Sequence, residues 1–464
     1  MERVLKNSVD FTEGKVTGKI IKFVIPIIIT GLLQMLYNAS DMIVVGNFSS
    51  NGTNAMGGVG SSNALISVVV GLVFGVSAGT SVVTAKNIGA KTYDNIKTVI
   101  DTSIIFSLIL GIIVGLFGFI YTKDILILMG TPTEILSEAA FYMQAYFVGV
   151  PGNFVYLILA SIVRSTGDSK SPLIILIISV IFNVFANIFM VVCFDMSAVG
   201  VGIATAMSQY LSLAIILIYL SRKTDYLKLD LKNIKFSKTT LYSIVSIGMP
   251  AGLQTVIFSI SNVIIQSSIN AYGSDAVSGN AAAANLESFT YTAMNSFYQG
   301  VITIVGQNMG AKKYKRVLKV FYSSLILVTV VGLVMGLAIY IFNDAFLRIY
   351  EPESAVVRAW GLKRLEIVSK WHFISGIFEV SSGVLRGMGK SGLSMALSII
   401  FSVLFRIVWL FTVCVTIPNN ITVLYLSYPT SWIITTISMV ICIFSYYKKL
   451  TSKKKNLCVK FIAK

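Results

Sequence analysis

Three of the twenty acidic residues fall well inside long apolar stretches: Asp41, Glu287 and Glu379. A charge at mid-bilayer costs about 2.5–3.5 kcal/mol on insertion scales, so each such carboxylate is a functional candidate by default. Asp41 stands nineteen residues beyond Lys22, about 28 Å further along one helix at 1.5 Å per residue, which places it in the outer half of a bilayer. Asn183 and Asn187 lie one helical turn apart on one face of the fifth apolar stretch, and Asn187 is six residues from Cys193 at its outer end. Thr205 lies seven residues into the sixth stretch from the same side, roughly 10 Å down. A carboxylate, two amides and a hydroxyl thus occur at similar depth in one half of the chain. Oxygen ligands of this kind suit Na+, and the same carboxylate could instead take up a proton. The competing structural reading is that the amides only join helices, at about 0.6 kcal/mol per bond.

Glu287 lies a turn or two from the outer end of the eighth stretch, with no cationic residue evident at its depth. It is therefore expected to attract a cationic substrate or to titrate during transport. Glu379 lies seven residues before Arg386, in the inner half of the tenth stretch, and Arg406 has a comparable inner depth on the eleventh. A Glu379–Arg406 ion pair is expected, because burying either charge alone is costly. His372, the single histidine, could titrate near neutral pH, but a packing role is expected. Cys193, Cys414, Cys442 and Cys458 show none of the short recurring spacings of zinc or disulfide frameworks.

The elements that must position these residues are membrane helices. Over half of the 464 residues are hydrophobic and only 12% are charged, against about a quarter in a soluble chain; the mean hydropathy is +0.81. Twelve runs can each cross the ~30 Å hydrocarbon core: roughly 19–46, 54–84, 97–120, 137–159, 172–193, 198–220, 241–268, 280–305, 317–341, 362–385, 393–416 and 420–446. Pro26 falls early in the first and should bend it by removing a backbone hydrogen bond. No removable signal peptide is expected. The net charge of +17 is distributed unevenly, with cytoplasmic termini assumed. Of the 37 Lys and Arg, only Lys123, Arg348, Arg358, Lys363, Arg364 and Lys370 fall outside, while Lys22 and Arg406 lie within spans. That asymmetry is the positive-inside rule, a topology signal and not a nucleic-acid footprint.

One half-molecule is written twice. Gly79 to Ile100 (GTSVVTAKNIGAKTYDNIKTVI) aligns without a gap on Gly300 to Phe321 (GVITIVGQNMGAKKYKRVLKVF). Pro26 meets Pro250, Asn38 meets Asn262, Arg164 meets Arg386 and Gly167 meets Gly389 near the same offset, the mark of an internal duplication. The expected organisation is a six-helix lobe over 1–220, a cytoplasmic linker over 221–239, a second six-helix lobe over 240–446 and a basic cytoplasmic tail over 447–464. Six is even, so both halves point the same way, a transporter layout with the cavity between them.

The stretches PIIITGLLQMLYNASDMIVVG, TAKNIGAKTYDNIK, NSFYQGVITIVGQNMGAKKYKR and VSSGVLRGMGKS resemble the bacterial MATE family, the multidrug and toxic compound extrusion antiporters. The resemblance covers nearly the whole chain and is closer to the Gram-positive drug exporters and DinF-like members than to the sodium-coupled NorM-type branch. Where that branch has acidic residues in spans 7 and 10, Phe258 and Ser375 align. The resemblance implies an ion site at Asp41, Asn183, Asn187 and Thr205, with Asn187 standing where other members place a second carboxylate. It also implies a drug cavity lined by Gln34 and Tyr37. The expected function is export of cationic amphipathic compounds in exchange for H+ or Na+, from a monomer in the cell membrane with both termini cytoplasmic and no cofactor. A flippase for lipid-linked precursors would need a cationic cavity, whereas the buried charges are mainly acidic. A membrane-embedded enzyme is opposed by the single histidine, the lack of HExxH or GxGD pairs, and the lack of a P-loop.

Overall fold

The computed structural model describes residues 9–49, 52–230, 232–350, 354–417 and 420–462; of residues 52, 53 and 453–462 it describes the backbone alone. Residues 1–8, Ser50 and Asn51 of the expected outer loop, Ala463 and Lys464 of the tail, and the Cys458 side chain lie outside the described residues. The helices are α1 (Val16–Phe48), α2 (Gly52–Ala90), α3 (Tyr93–Leu128), α4 (Thr133–Ser165), α5 (Lys170–Ile188), α6 (Ala198–Ser221), α7 (Lys238–Asn270), α8 (Ser274–Gly310), α9 (Tyr314–Ile341), the short α10 (Asn343–Tyr350), α11 (Ala355–Gly387), α12 (Ser391–Ser398), α13 (Phe405–Phe411), α14 (Val413–Thr416) and α15 (Ile421–Ile462). A π turn, Phe189–Cys193, prolongs α5, and another, Ile399–Leu404, joins α12 to α13. Counting Ser391–Thr416 as one span, the described residues form six long helices in each half and no strand. It is an all-α polytopic membrane protein.

Ten of the helices are both long and apolar enough to cross a bilayer. The two that are not, α8 and α11, have 37 and 33 residues, about 50 Å or more of helix at 1.5 Å per residue. Length is not what they lack. They carry Asn280, Glu287, Arg364 and His372, all buried, and they pack most extensively against each other. A helix surrounded by protein can be polar in a way that a lipid-facing one cannot.

The duplicated stretch repeats its backbone as well as its residues. Lys91 and Lys312 have φ of 60° and 55°, a left-handed conformation that is uncommon outside glycine. Both are followed by the same cap: Thr92 N donates to Asn87 O at 3.0 Å and Lys91 N to Ile88 O at 3.0 Å, while Lys313 N donates to Asn308 O at 2.9 Å and Lys312 N to Met309 O at 3.1 Å. This pair of bonds is the Schellman helix stop, normally built on glycine. Replacing Lys91 by Gly should therefore raise stability by about 1 kcal/mol, because the left-handed cost of about 1–2 kcal/mol is partly offset by glycine's greater freedom in the unfolded chain. Thermal unfolding in detergent would show it; a lower midpoint would mean the lysine side chain contributes more than its backbone costs.

The chain folds as two units, Met1–Asp10 with Ile25–Gly252, and Phe11–Val24 with Leu253–Lys464. The boundaries fall beside Pro26 in α1 and Pro250 in α7, where each helix lacks a backbone donor. In the first unit, α4 is buried along most of its length and packs on α2, α3 and α6. There the backbone after α6 is tied to α3, with Lys235 N donating to Asp101 Oδ2 at 3.1 Å and Ser237 N to Thr102 Oγ1 at 3.2 Å. In the second unit, α11 is the central helix, packed on α8, α9 and α15. The segment before α1 belongs here: Phe11 is buried, its carbonyl accepting from Arg316 Nε at 2.7 Å and Asn308 Nδ2 at 3.2 Å.

Candidate functional site

Side chains from α4, α5 and α6 converge on Asp41 of α1. Close approach of α6 to α4 makes this geometry: a Cβ on Gly202 would lie 2.7 Å from the Tyr142 carbonyl oxygen, so the contact requires glycine. Three residues further on, Thr205 Oγ1 donates to Asp41 Oδ2 at 3.1 Å, and the Tyr142 hydroxyl donates to the same oxygen at 3.3 Å. From α5, Asn187 Nδ2 donates to Asp41 Oδ1 at 2.8 Å and to Asn183 Oδ1 at 3.2 Å. Asn183 Nδ2 in turn donates to Thr205 Oγ1 at 3.3 Å. Asp41 is 2% exposed, and both asparagines are fully buried. No ion pair among the described residues includes Asp41. The carboxylate is held by neutral dipoles alone, in a low-dielectric place where such bonds are strong and unpaired groups costly.

All four expected residues are thus brought together, and Tyr142 joins them unannounced by any motif. Its one trace in the sequence is the repeat: counted back by the interval separating Arg164 from Arg386, Arg364 falls on Tyr142. Another feature lies beyond the reach of sequence: Asn187 Oδ1 is buried and has no hydrogen-bond partner, a state that costs roughly 1–3 kcal/mol.

Beside this cluster the first unit holds a cavity of about 150 Å³. Gln34 and Tyr37 are on its wall, with Asn38, Asn153, Ser208 and Gln209. The Tyr37 hydroxyl hydrogen-bonds Ser208 Oγ and donates to the Thr205 carbonyl at 3.4 Å. Cavity wall and carboxylate are therefore linked through Thr205. The wall carries amides, hydroxyls, aromatic rings and aliphatic chains, with no Lys or Arg.

In the second unit the expected pairing is corrected. Glu287 does have a cation: Arg364 Nη2 lies 2.7 Å from its Oε2, and Arg364 Nε is 3.2 Å from both carboxylate oxygens. Arg364 Nη1 also donates to Asn280 Oδ1 at 2.8 Å. Glu379 and Arg406 do not pair. Arg406 Nε donates to Ser431 Oγ at 2.9 Å, and its guanidinium lies 4.5 Å from the Tyr428 ring centre and 6.0 Å from that of Trp432. A ring face can replace a carboxylate as the partner of a desolvated guanidinium. His372 is buried, its ring 5.4 Å from Trp432, and its Nδ1 has no partner. Cys193, Cys414 and Cys442 are free thiols. Among the described residues, no group of three or more His, Cys, Asp or Glu converges as a metal site would require.

A duplicated bundle of long helices with a buried carboxylate beside a polar cavity defines a class, the secondary membrane transporters. The family model MatE matches residues 26–189 and again 250–412. The chain belongs to that family and is a transporter, not an enzyme. The probable multidrug resistance protein YoeA of Bacillus subtilis is 26% identical over 79% of this chain and 80% of its own length. The multidrug export protein MepA of Staphylococcus saprophyticus is 24% identical, over 83% and 85%. The probable multidrug resistance protein NorM of Thermotoga maritima is 24% identical, over 81% of each. A solved outward-facing structure of a multidrug resistance MATE family transporter has the same fold, with a TM-score of 0.88 over 97% of this chain and 100% of that one at 19% identity.

Proposed function

We propose that the protein exports cationic amphipathic drugs and other xenobiotics across the cell membrane in exchange for H+ or Na+, as a single chain with both termini cytoplasmic. The carrying observation is Asp41, a buried carboxylate held by three neutral donors and by no basic side chain. The coupling ion is the charge that balances it. The donor set fits either ion. Asp41, Asn183, Asn187 and Thr205 offer the oxygen ligands that a hard cation takes, and the Asp41 carboxylate is itself a proton acceptor. Ion uptake neutralises Asp41 and shifts the balance between outward- and inward-facing states, since an ion can bias only an equilibrium whose two states it binds differently. The 150 Å³ cavity is smaller than the roughly 300–1,000 Å³ of drug-sized sites, so a drug needs the wall at Gln34 and Tyr37 to open. A flippase for lipid-linked diphosphates is disfavoured by a wall without Lys or Arg.

The deciding experiment is ethidium uptake by inverted vesicles carrying the protein, under an imposed sodium gradient and then an imposed pH gradient. Uptake driven by one of them is expected; dye movement indifferent to both would refute exchange.

A further inference from the structure

Inside the second unit a buried cation stands without a counter-charge. Arg406 of α13 is 3% exposed and takes part in no ion pair among the described residues. Its Nε donates to Ser431 Oγ at 2.9 Å, and no acceptor among the described residues meets Nη1 or Nη2. The Tyr428 and Trp432 ring centres lie 4.5 and 6.0 Å from its guanidinium. A ring face attracts a cation without cancelling its charge, and it leaves the guanidinium fork short of lone pairs. Arg364 adds to the imbalance, because its guanidinium lies 5.3 Å from the centre of the same Tyr428 ring. Two like charges thus flank one ring in a low-dielectric place, where they repel. Glu287 pairs with Arg364 alone, so the Arg406 charge remains. A water molecule could accept from Nη1 or Nη2, but it brings no charge to offset the desolvation of an ion.

The repeat and the backbone point the same way. Counted on by the interval separating Asn38 from Asn262, Asp41 falls on Ile265, which is buried and apolar. Tyr142, a donor to Asp41, has Arg364 as its counterpart. The second lobe therefore keeps the place and reverses its polarity: where the first has a carboxylate and a hydroxyl, the second has an aliphatic chain and a guanidinium. The π turn Ile399–Leu404 ends two residues before Arg406. Such a turn inserts a residue into a helix and re-aims the side chains beyond it, a device frequent at functional sites.

We propose that the second unit binds a small monovalent anion of the halide class at Arg406 Nη1 and Nη2, bordered by Tyr428 and Trp432. The anion is monovalent because a single charge is left over, and small because the guanidinium is enclosed. The proposal does not depend on which ion Asp41 exchanges.

The test is thermal unfolding of the purified protein in detergent, in sodium chloride, bromide or gluconate at one pH and ionic strength. Chloride and bromide should each raise the midpoint saturably, by at least about 2 °C over gluconate. Arg406→Met should abolish the difference, and Arg406→Lys, which keeps the charge, should retain part of it. Because Arg406→Met could fail to fold, a second measurement uses the wild-type chain. Crystals grown in bromide should show an anomalous bromine peak in contact with the Arg406 guanidinium. A halide shift that survives Arg406→Met, or crystals whose bromine peaks all lie elsewhere, overturns the proposal and leaves the guanidinium to water and the rings.

Discussion

Asp41→Asn should lower gradient-driven export about 5- to 150-fold, the range that a coupling free energy of about 1–3 kcal/mol represents. The substitution keeps the shape of the side chain but removes its charge and its ability to gain or lose a proton. The fold should tolerate it. Thr205 and Tyr142 hydroxyls can turn from donating to accepting, and the Asn187 amide, whose Oδ1 has no partner, can offer that oxygen to the new amide. The two measurements that separate coupling from folding are dye efflux under the imposed gradient and thermal unfolding in detergent. An efflux rate equal to wild type would remove Asp41 from the mechanism. A protein that unfolds early would instead assign it a structural role.

How much of this is legible in the sequence depends on which coordinate of a helix is involved. Position along a helix axis is a count of residues, and the counts bring Asp41, Asn183, Asn187 and Thr205 to one depth, where the structure joins them. Rotation about the axis is not a count. Glu379 and Arg406 match in depth, yet they take different partners, because depth says nothing about which neighbour a face meets. Tyr142 escapes a sequence reading for a related cause: its approach to Asp41 follows from the close contact of Gly202 with α4, a property of two helices and not of one.

The same physical limit explains the misplacing of Arg364. Hydropathy places the start of the tenth span at about residue 362, making Arg364 a residue of the outer helix start. The helix begins at Ala355, so Arg364 is nine residues in, about 14 Å along the axis. Polar residues that face a protein interior look like loop to a hydropathy count. That is how α8 and α11, the interior helices of the second unit, hide both their true length and the pair they share.

Arg364→Met should destabilise the protein by about 3–5 kcal/mol, the usual cost of leaving a buried charge without its partner. Glu287 and Arg364 are 5% and 8% exposed, and their contact is two-pronged, at 2.7 and 3.2 Å. Water cannot take the place of the guanidinium without opening α8 from α11. Replacing both members, as Glu287→Leu with Arg364→Met, should recover most of the loss, since an apolar pair of similar volume is often as stable as a buried ion pair. The remainder should trace to Asn280 Oδ1, which loses the Arg364 donor but keeps the Tyr425 hydroxyl at 3.3 Å. Unfolding midpoints of the wild type, both single variants and the double variant complete the cycle. A coupling energy near zero would mean the pair is not what holds α8 to α11. Transport separates the remaining roles of Glu287: its charge is already balanced by Arg364, so the double variant, once folded, should still export ethidium. Failure of a stable double variant to do so would return Glu287 to the transport path.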